Sequence, residues 1–293
     1  MCHLPSQWAS YIGFDTYATG APAGANTTMG DVVTGLLRPA PYASRPRFTG
    51  MAAVSNLGDD ASWTSHPFSA ANTYGFGRLA WEGPRGGTPA SAEAITREWT
   101  EATFGLNETV TNTVMSILLD SWEAYENYTT SLGWGFSADF THYDMGPKLR
   151  NATYINATKT RVGYNRGIAG GYGATYNAPV SGQFLDVDAC PEELLLCFHN
   201  VPYSHLLTAP RYGNSTVLEW IQSSHADGAR RAERFVDQWQ DLGGVAGWEQ
   251  DVADTTGKTF AEMTRILRNG AADAKTFAAA IISFFDNATR GGV

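Results

Sequence analysis

The stretch DSWEAYENYTTSLGWGFSADFTHY, residues 120–143, passes from an amphipathic helix into a loop rich in glycine and aromatic residues. Trp122, Tyr125 and Tyr128 recur every three residues, so they share one side of a helix. Two glycines then flank Trp134, which ends the helical pattern and places a large flat ring on a loop. A neighbouring helix is the ordinary cover for such a ring, and a bound sugar ring is the functional alternative.

Helical spacing extends from this stretch in both directions along the chain. Residues 144–188 interrupt it with a long segment without a period, which is typical of a functional or loosely ordered region. Upstream, the spacing predicts helices over 68–81, over 91–104 with Ser91 as cap and Ile95, Trp99 and Ala102 facing inward, and over 108–128. Downstream, it predicts helices at 190–199, 216–224, 227–242, 258–268 and 271–286.

The beginning of the chain predicts a small α/β part before the mainly helical remainder. Residues 1–5 are predicted as the end of a buried strand, and residues 48–56 as a second short apolar run. Small residues in a strand are typical of a crowded barrel interior, and polar residues just past its end are typical of a functional rim. The alternative is a plain turn that caps the next helix. The candidate rim residues are Asn56, Asp59, Asp60, Trp63 and His66.

The totals exclude several classes of partner. A formal net charge of -9 leaves no basic stripe for phosphates, so we predict no nucleic-acid binding. No run reaches the roughly 18–20 apolar residues of a membrane span, and the apolar run 277–285 predicts a core helix instead. Aromatic residues make up 12% of the chain, which suits carbohydrate contact or a large core equally well.

Glycosylation sequons conflict with the start of the chain. Residues 1–10 lack the charged and apolar regions of a signal peptide, whereas repeated N-x-S/T sequons are typical of a secreted glycoprotein. A true N-terminus lying further upstream would resolve the conflict, and we predict a secreted protein. The candidate glycosylation sites are Asn26, Asn107, Asn127, Asn151, Asn156, Asn214 and Asn287.

Three cysteines are too few for a disulfide framework. Cys190 and Cys197 lie seven positions apart across a predicted helix, a rise of about 10 Å that a disulfide does not span. They are therefore predicted to be buried as small apolar side chains. A metal site with His199 and His205 is the alternative, but the spacing is irregular, and we predict neither a metal nor a cofactor.

No catalytic set emerges from the motifs. The chain contains no G-x-S-x-G elbow and no H-E-x-x-H, and its glycine-rich stretch GYGATYNAP lacks the context of a dinucleotide fingerprint. Paired carboxylates do occur, but adjacency in sequence does not give the separation that glycoside hydrolysis requires. These pairs are Asp59 with Asp60, Glu123 with Glu126, and Glu192 with Glu193.

Four long segments resemble glycoside hydrolase family 67, the microbial α-glucuronidases of xylan breakdown. They follow the order of that family, and the resemblance runs from the first residue to about residue 242. The segments are GMAAVSNLGDDASWTSHPFSAANTYGFGRLAW (50–81), SAEAITREW (91–99), SWEAYENYT (121–129) and CPEELLLCFHNVPYSHLL (190–207).

The resemblance implies a domain order and an activity. Such enzymes have an N-terminal α/β domain, a central (β/α)8 TIM barrel and a helical C-terminal domain that supports dimerisation. They release (4-O-methyl)glucuronic acid from xylo-oligosaccharides by inversion, without a metal. Residues 1–70 would then be the C-terminal remnant of the catalytic barrel, with its last strands at 1–5 and 48–55. Residues 71–293 would be the mainly helical C-terminal domain.

The resemblance also assigns roles to residues. It implies that the general acid and the general-base carboxylates lie upstream of Met1, so that this chain alone is inactive. It places Trp134 in an apolar sleeve around the uronic acid. It also matches His142 and Tyr143 to the H-Y of the family, although Asp144 and Met145 are inserted before the G-P that follows, and makes both candidate substrate-binding residues. The chain departs from the family at TYINAT (153–158) and GYNR (163–166), where the family has T-Y-H-R-A-D and G-V-D-R. Charged side chains are thereby lost at Ile155, Asn156, Thr158 and Asn165.

The leading hypothesis is therefore part of a secreted α-glucuronidase that acts on oligosaccharides derived from glucuronoxylan and forms a homodimer through its C-terminal domain. A non-catalytic carbohydrate-binding or dimerisation module is the alternative. A hydrolase that uses its own carboxylates is a third hypothesis, and it requires two Asp or Glu side chains facing each other across a pocket.

Overall fold

A computed structural model gives the fold, which is mainly helical as predicted. Its described residues divide between two compact units, each formed by two separate stretches of chain. The first unit comprises Met1–Trp122 and Phe235–Arg268, and the second comprises Glu123–Arg234 and Asn269–Val293. The structure describes residues 3–13, 28–33, 52, 68–82, 91–135, 157–166, 171, 175 and 181–289.

Helices make up most of the described residues, and the strands are only two residues long. The helices are α1 (Leu4–Gly13), α2 (Met29–Val33), α3 (Ser69–Glu82), α4 (Ala92–Phe104), α5 (Glu108–Thr129), α6 (Leu195–Phe198), α7 (Val217–Asp241), α8 (Trp248–Thr256) and α9 (Phe260–Thr289). The strands are β1 (Thr130–Ser131), β2 (Trp134–Gly135), β3 (Arg161–Val162) and β4 (Val201–Pro202). They form two antiparallel pairs, β1 with β2 and β3 with β4.

The predicted strand at residues 1–5 is wrong, because helix α1 begins at Leu4. Leu4, Trp8 and Ile12 recur every four residues, which is the helical period, and a window of five residues is too short to reveal it. A proline is tolerated in the first helical turn, since its missing N–H has no partner there in any case. The second predicted strand, 48–55, lies outside the described residues except for Ala52.

In the first unit, α1, α3 and α4 pack around a small apolar cluster. Trp8, Leu79 and Ile95 are buried there, each at most 5% exposed. Helix α3 approaches α1 closely, since a Cβ on Gly75 would lie 2.5 Å from Cγ of Pro5. Helix α4 begins as predicted, with the Ser91 hydroxyl accepting a hydrogen bond from the Ala94 N–H at 3.2 Å. Ala102, predicted to face inward, is exposed.

Aromatic rings form the larger core of the first unit. The Trp239 ring is fully buried and lies 5.5 Å from Phe68, 5.6 Å from Trp248 and 5.2 Å from Phe260, centroid to centroid. Its indole N–H donates to the Thr264 hydroxyl at 3.0 Å, so its one polar group is satisfied inside the core. This centre joins residues near 68 to residues beyond 235 and thereby closes the unit.

The second unit is built on α7, α9 and the short segments between residues 130 and 217. The predicted core helix at 277–285 is confirmed as part of α9. Polar contacts also tie α9 to α7: the Gln222 amide donates to Asp286 at 2.8 Å, and Lys275 pairs with Glu233 at 2.7 Å. The fully buried core side chains include Val162, Leu195, Leu196, Leu207, Val217, Ile221, Phe277, Ile281 and Phe285.

Two predicted helix breaks are wrong. Helix α7 runs unbroken from Val217 to Asp241, and α9 runs unbroken from Phe260 to Thr289. The predicted breaks lay at residues 225–226 and 269–270, between successive predicted helices. A glycine within a helix costs only about 1 kcal/mol relative to alanine, which a long buried face readily offsets. Helix α8, which follows Gly247, was not predicted.

Helices α5 and α7 cross at Gly228, a contact that we call the Gly228 crossing. A Cβ on Gly228 would lie 2.6 Å from both the Ala124 carbonyl oxygen and the Tyr128 nitrogen, and 2.9 Å from the Asn127 Cβ. The backbones therefore meet with no room for a side chain. Beside the contact, Asp227 accepts hydrogen bonds from the Asn127 amide at 3.2 Å and from Nε of Arg231 at 2.7 Å.

Two predictions about organisation stay predictions: the division into 1–70 and 71–293, and the barrel origin of the first part. Within the described part of the chain, no helix combines the length and the apolarity needed to cross a membrane.

Candidate functional site

Most of the residues predicted to bind substrate lie outside the described residues. Trp134 is the exception: its backbone is described as the first residue of β2. Trp134 therefore lies on a short strand, whereas the flanking glycines had predicted an irregular loop. The predicted residues outside the described ranges are Asn56, Asp59, Trp63, His66, His142 and Tyr143, with Asp60.

A tight hairpin presents Trp134. Ser131 in β1 pairs with Trp134 in β2, so only Leu132 and Gly133 form the turn between them. Both turn residues have positive φ, 51° and 79°. Two-residue hairpin turns of this kind suit the twist of the flanking strands, and glycine is favoured at such positions. The turn thus fixes the position of the Trp134 backbone relative to β1.

The hairpin is anchored on the segment that contains α6. The Leu196 N–H donates to the Leu132 carbonyl at 2.9 Å, and the Leu132 side chain is only 5% exposed. Gly133 lies so close that an added Cβ would be 2.7 Å from Cα of Leu194. No other residue fits there without displacing the backbone. The hairpin before Trp134 is consequently held by both hydrogen bonding and close packing.

A third segment joins on the other side of α6. The Tyr164 N–H donates to the Leu196 carbonyl at 3.0 Å, and the Arg166 N–H donates to the Phe198 carbonyl at 2.8 Å. Gly163, with φ of 106°, lies against the His199 carbonyl. One hydrogen-bonded backbone assembly, which we call the platform, is thus formed by residues 130–135, 161–166 and 194–200.

The platform carries two arginines with defined partners. The Arg166 guanidinium lies 4.1 Å from the centre of the Tyr164 ring, and its Nη1 donates to the Cys197 sulfur at 3.2 Å. Nε of Arg161 donates to the Asn200 side chain at 3.0 Å. The Asn200 amide in turn donates to the Gly163 carbonyl at 2.7 Å. The platform is therefore cationic, and a cation over an aromatic face is favourable.

Arg166 was not predicted from the sequence. Its neighbour Asn165, which stands where the family has an acidic residue, is exposed. The retained arginine next to it is half-buried and contacts two segments of the platform. The signal that could have found it is that Arg166 is the one charged position of the family pattern G-V-D-R that GYNR keeps.

Paired carboxylates in the second unit support structure. Burial alone would raise the pKa of Glu192. Hydrogen bonds from the Thr208 and Ala209 backbone and from the Thr208 hydroxyl nevertheless hold this pKa below its usual value. Glu193 pairs with Arg211 at 3.5 Å, and Glu123 pairs with Arg231 at 2.8 Å. The Glu123 pair joins α5 to α7.

Cys190 and Cys197 are both free thiols. Cys190 is buried as predicted, and burial, with a smaller contribution from Cys197, raises its pKa to about 11. Cys197 is only half-buried. Among the residues that the structure describes, no three His, Cys, Asp or Glu side chains are arranged to hold a metal ion.

A buried histidine lies behind the hairpin. His225 is fully buried, and its Nδ1 donates to the Ile221 carbonyl at 2.7 Å and lies 3.5 Å from the Ser131 hydroxyl. Burial lowers the pKa of His225 to about 4, and burial also lowers that of His3 in the first unit to about 4. Both side chains are therefore neutral at physiological pH.

We expect stability to fall when the pH is lowered from 6.5 towards 4. In that window the unfolded histidines, with a pKa near 6.5, bind protons that the folded side chains do not bind until about pH 4. Each buried histidine should cost of order 1 kcal/mol per pH unit there. Urea unfolding across this range measures it, with His225→Gln as the control. An unchanged pH slope in that variant would contradict the assignment.

Comparison with known proteins identifies the family. The sequence model described as "Glycosyl hydrolase family 67 C-terminus" matches residues 64–292. The chain belongs to glycosyl hydrolase family 67. The family match extends past residue 242, where the resemblance had been expected to end, and it includes all of α9.

Fungal relatives agree with this assignment. A "Probable alpha-glucuronidase A" of Aspergillus clavatus is 31% identical over 252 residues, covering 83% of this chain and 28% of the relative. A protein of the same name from Aspergillus niger is 32% identical over 260 residues, covering 85% of this chain and 29% of the relative. The family 67 chain therefore spans less than a third of the length of the curated relatives it matches.

Proposed function

We propose that this chain is the C-terminal part of an α-glucuronidase that releases (4-O-methyl)glucuronic acid by inversion from oligosaccharides derived from glucuronoxylan. The observation that carries the proposal is the family match over residues 64–292. The names of the fungal relatives support the activity. Residues 1–70 are proposed as the end of the (β/α)8 barrel and residues 71–293 as the helical C-terminal domain. Secretion and a homodimer through this domain belong to the same proposal.

Trp134 is the proposed apolar wall of the uronic acid subsite. A flat indole ring can stack on the face of a sugar ring. This contact stabilises binding most when the indole is held in one position. The platform supports this role, because the hairpin before Trp134 is bonded to Leu196 and has no spare room at Gly133. Further substrate-binding residues in this proposal are His142, Tyr143, Asn56, Asp59, Trp63 and His66.

Hydrolysis is proposed to require carboxylates beyond those of this chain. An inverting glycosidase needs a general acid with a raised pKa and a second carboxylate about 6.5–9.5 Å away. Among the described carboxylates, the four with shifted pKa values all shift downwards: Glu93, Glu192, Glu219 and Glu262. In Glu219 and Glu262 the cause is hydrogen bonding at a helix start, to Thr216 and Thr259. Such groups cap helices and are poor proton donors at neutral pH.

The purified chain should therefore fail to hydrolyse aldouronic acids. We expect no release of glucuronic acid above the buffer control, measured by chromatography of the products, while a full-length family 67 α-glucuronidase in parallel shows turnover. Turnover by this chain comparable to that enzyme would overturn the proposal and favour a hydrolase with its own carboxylates.

A non-catalytic carbohydrate-binding or dimerisation module is the second candidate, and the anchored hairpin that bears Trp134 favours it. Calorimetric titration with aldouronic acid, in the absence of turnover, separates the two. Binding by the isolated chain that is lost in Trp134→Ala, but kept in the control Trp81→Ala, would support an independent module. The matched control replaces a tryptophan that is 66% exposed on α3.

A further inference from the structure

The N-x-S/T sequons of this chain lie in very different surroundings. Four of the seven N-x-S/T sequons lie among the described residues: Asn107, Asn127, Asn214 and Asn287. N-glycosylation adds a bulky polar group to the amide nitrogen, so only a side chain with open space around Nδ2 tolerates it in a folded protein. Asn107, Asn214 and Asn287 are exposed, whereas Asn127 is half-buried.

Asn107 offers its amide nitrogen while its oxygen stabilises a helix. Every residue from 105 to 109 is exposed, and Leu106 is 83% exposed. Oδ1 of Asn107 accepts hydrogen bonds from the backbone N–H of Thr109 at 3.0 Å and of Val110 at 3.3 Å, which caps α5. A glycan on Nδ2 leaves that oxygen in place. Modification and helix capping are therefore compatible at this position.

Asn214 lies in a turn with two successive left-handed residues. Its φ is 60°, and the φ of the preceding Gly213 is 59°. Its side chain is exposed. The third residue of the sequon, Thr216, caps α7, because its hydroxyl oxygen accepts a hydrogen bond from the Glu219 N–H at 3.3 Å. Glycosylation of Asn214 would therefore leave the capping hydroxyl of Thr216 in place.

Asn127 is enclosed by the Gly228 crossing. Its Cβ lies 2.9 Å from where a Cβ of Gly228 would stand, and its amide donates to Asp227 at 3.2 Å. The amide nitrogen thus points at α7, whose backbone comes so near to α5 that not even a methyl group fits. A sugar ring on this nitrogen would require the two helices to separate.

We propose that the folded protein carries N-glycans at Asn107 and Asn214 and none at Asn127. The donor is an oligosaccharide linked to a polyisoprenyl diphosphate: its C1–O bond breaks, a C1–Nδ2 bond forms, Nδ2 loses one proton, and the diphosphate leaves. Transfer takes place on the emerging chain, so a chain modified at Asn127 cannot close the Gly228 crossing and remains misfolded. The inference rests on the secretion proposed above, not on the enzymatic activity.

Peptide mapping tests the pattern directly. The full chain, placed behind a cleavable signal peptide and produced in a secreting yeast, is separated by gel filtration into folded and aggregated fractions. Enzymatic glycan removal in heavy-oxygen water converts each modified asparagine into a labelled aspartate. In the folded fraction we expect label at Asn107 and Asn214 and none at Asn127. Label at Asn127 there, or its absence at Asn107 or Asn214, would overturn the proposal.

Single variants give a second readout that does not depend on peptide recovery. In the folded fraction, Asn107→Gln and Asn214→Gln should each lower the intact mass by one glycan. Asn127→Gln should leave the number of glycans unchanged. Loss of one glycan in Asn127→Gln would overturn the proposal. Because the signal peptide is supplied, this outcome is independent of whether the chain hydrolyses or binds any sugar.

Discussion

Gly228→Ala is expected to destabilise the second unit by about 3 kcal/mol, although helix propensity alone favours alanine by about 1 kcal/mol. The added methyl group would lie 2.6 Å from two backbone atoms of α5, at Ala124 and Tyr128. Backbone atoms within a helix cannot rotate away as a side chain can, so α5 and α7 must move apart. Urea unfolding followed by far-UV circular dichroism measures the loss.

Gly270→Ala is the matched control. Gly270 also lies within a long helix of the second unit, but a Cβ there would have nothing within 4 Å. The same substitution should therefore stabilise the protein by about 1 kcal/mol. Opposite signs for the two variants are the expected result. Equal signs would show that the close crossing of α5 and α7 does not exist in solution.

Trp239→Ala is expected to cost about 3–5 kcal/mol, the range typical of removing a large buried ring. Trp239 is fully buried and contacts Phe68, Trp248 and Phe260, so the cavity would lie at the centre of the first unit. The substitution also removes the indole donor to the Thr264 hydroxyl. A large fall in the unfolding midpoint in urea, with loss of near-UV signal, is the measurement.

Trp81→Ala provides the comparison in the same unit. Trp81 is 66% exposed, so the same change removes little buried surface and should alter stability by less than about 1 kcal/mol. Similar losses in both variants would contradict a core centred on Trp239.

Periodic helices were the predictable part of this fold. Helices α3, α4 and α5 were located to within a residue or two, because each buries one regular apolar face. The errors occurred where a local signal opposes tertiary packing. Helix α7 continues through the predicted break at 225–226, and it packs there at Gly228 against α5, a contact about a hundred positions away in sequence.

The sequence singled out Trp134 as a candidate site residue, but it did not predict the backbone contacts that support its hairpin. Trp134 stands out between two glycines, and the resemblance gave it a role. Its hairpin depends on hydrogen bonding between Leu132 and Leu196, which no local pattern encodes. Arg166 was missed for the same reason, since its partners Tyr164 and Cys197 meet only on the platform.

The division of each unit between two stretches of chain limits how this protein can change by recombination. The aromatic centre of the first unit needs both Phe68 and Trp239, and the second unit needs both Val217 and Phe277. A single crossover between two diverged genes, placed anywhere from residue 123 to residue 268, would take the two stretches of at least one unit from different genes. The side chains that pack together in that core would then come from sequences that had varied separately. We therefore expect relatives to exchange this part of the molecule whole, as one inherited block.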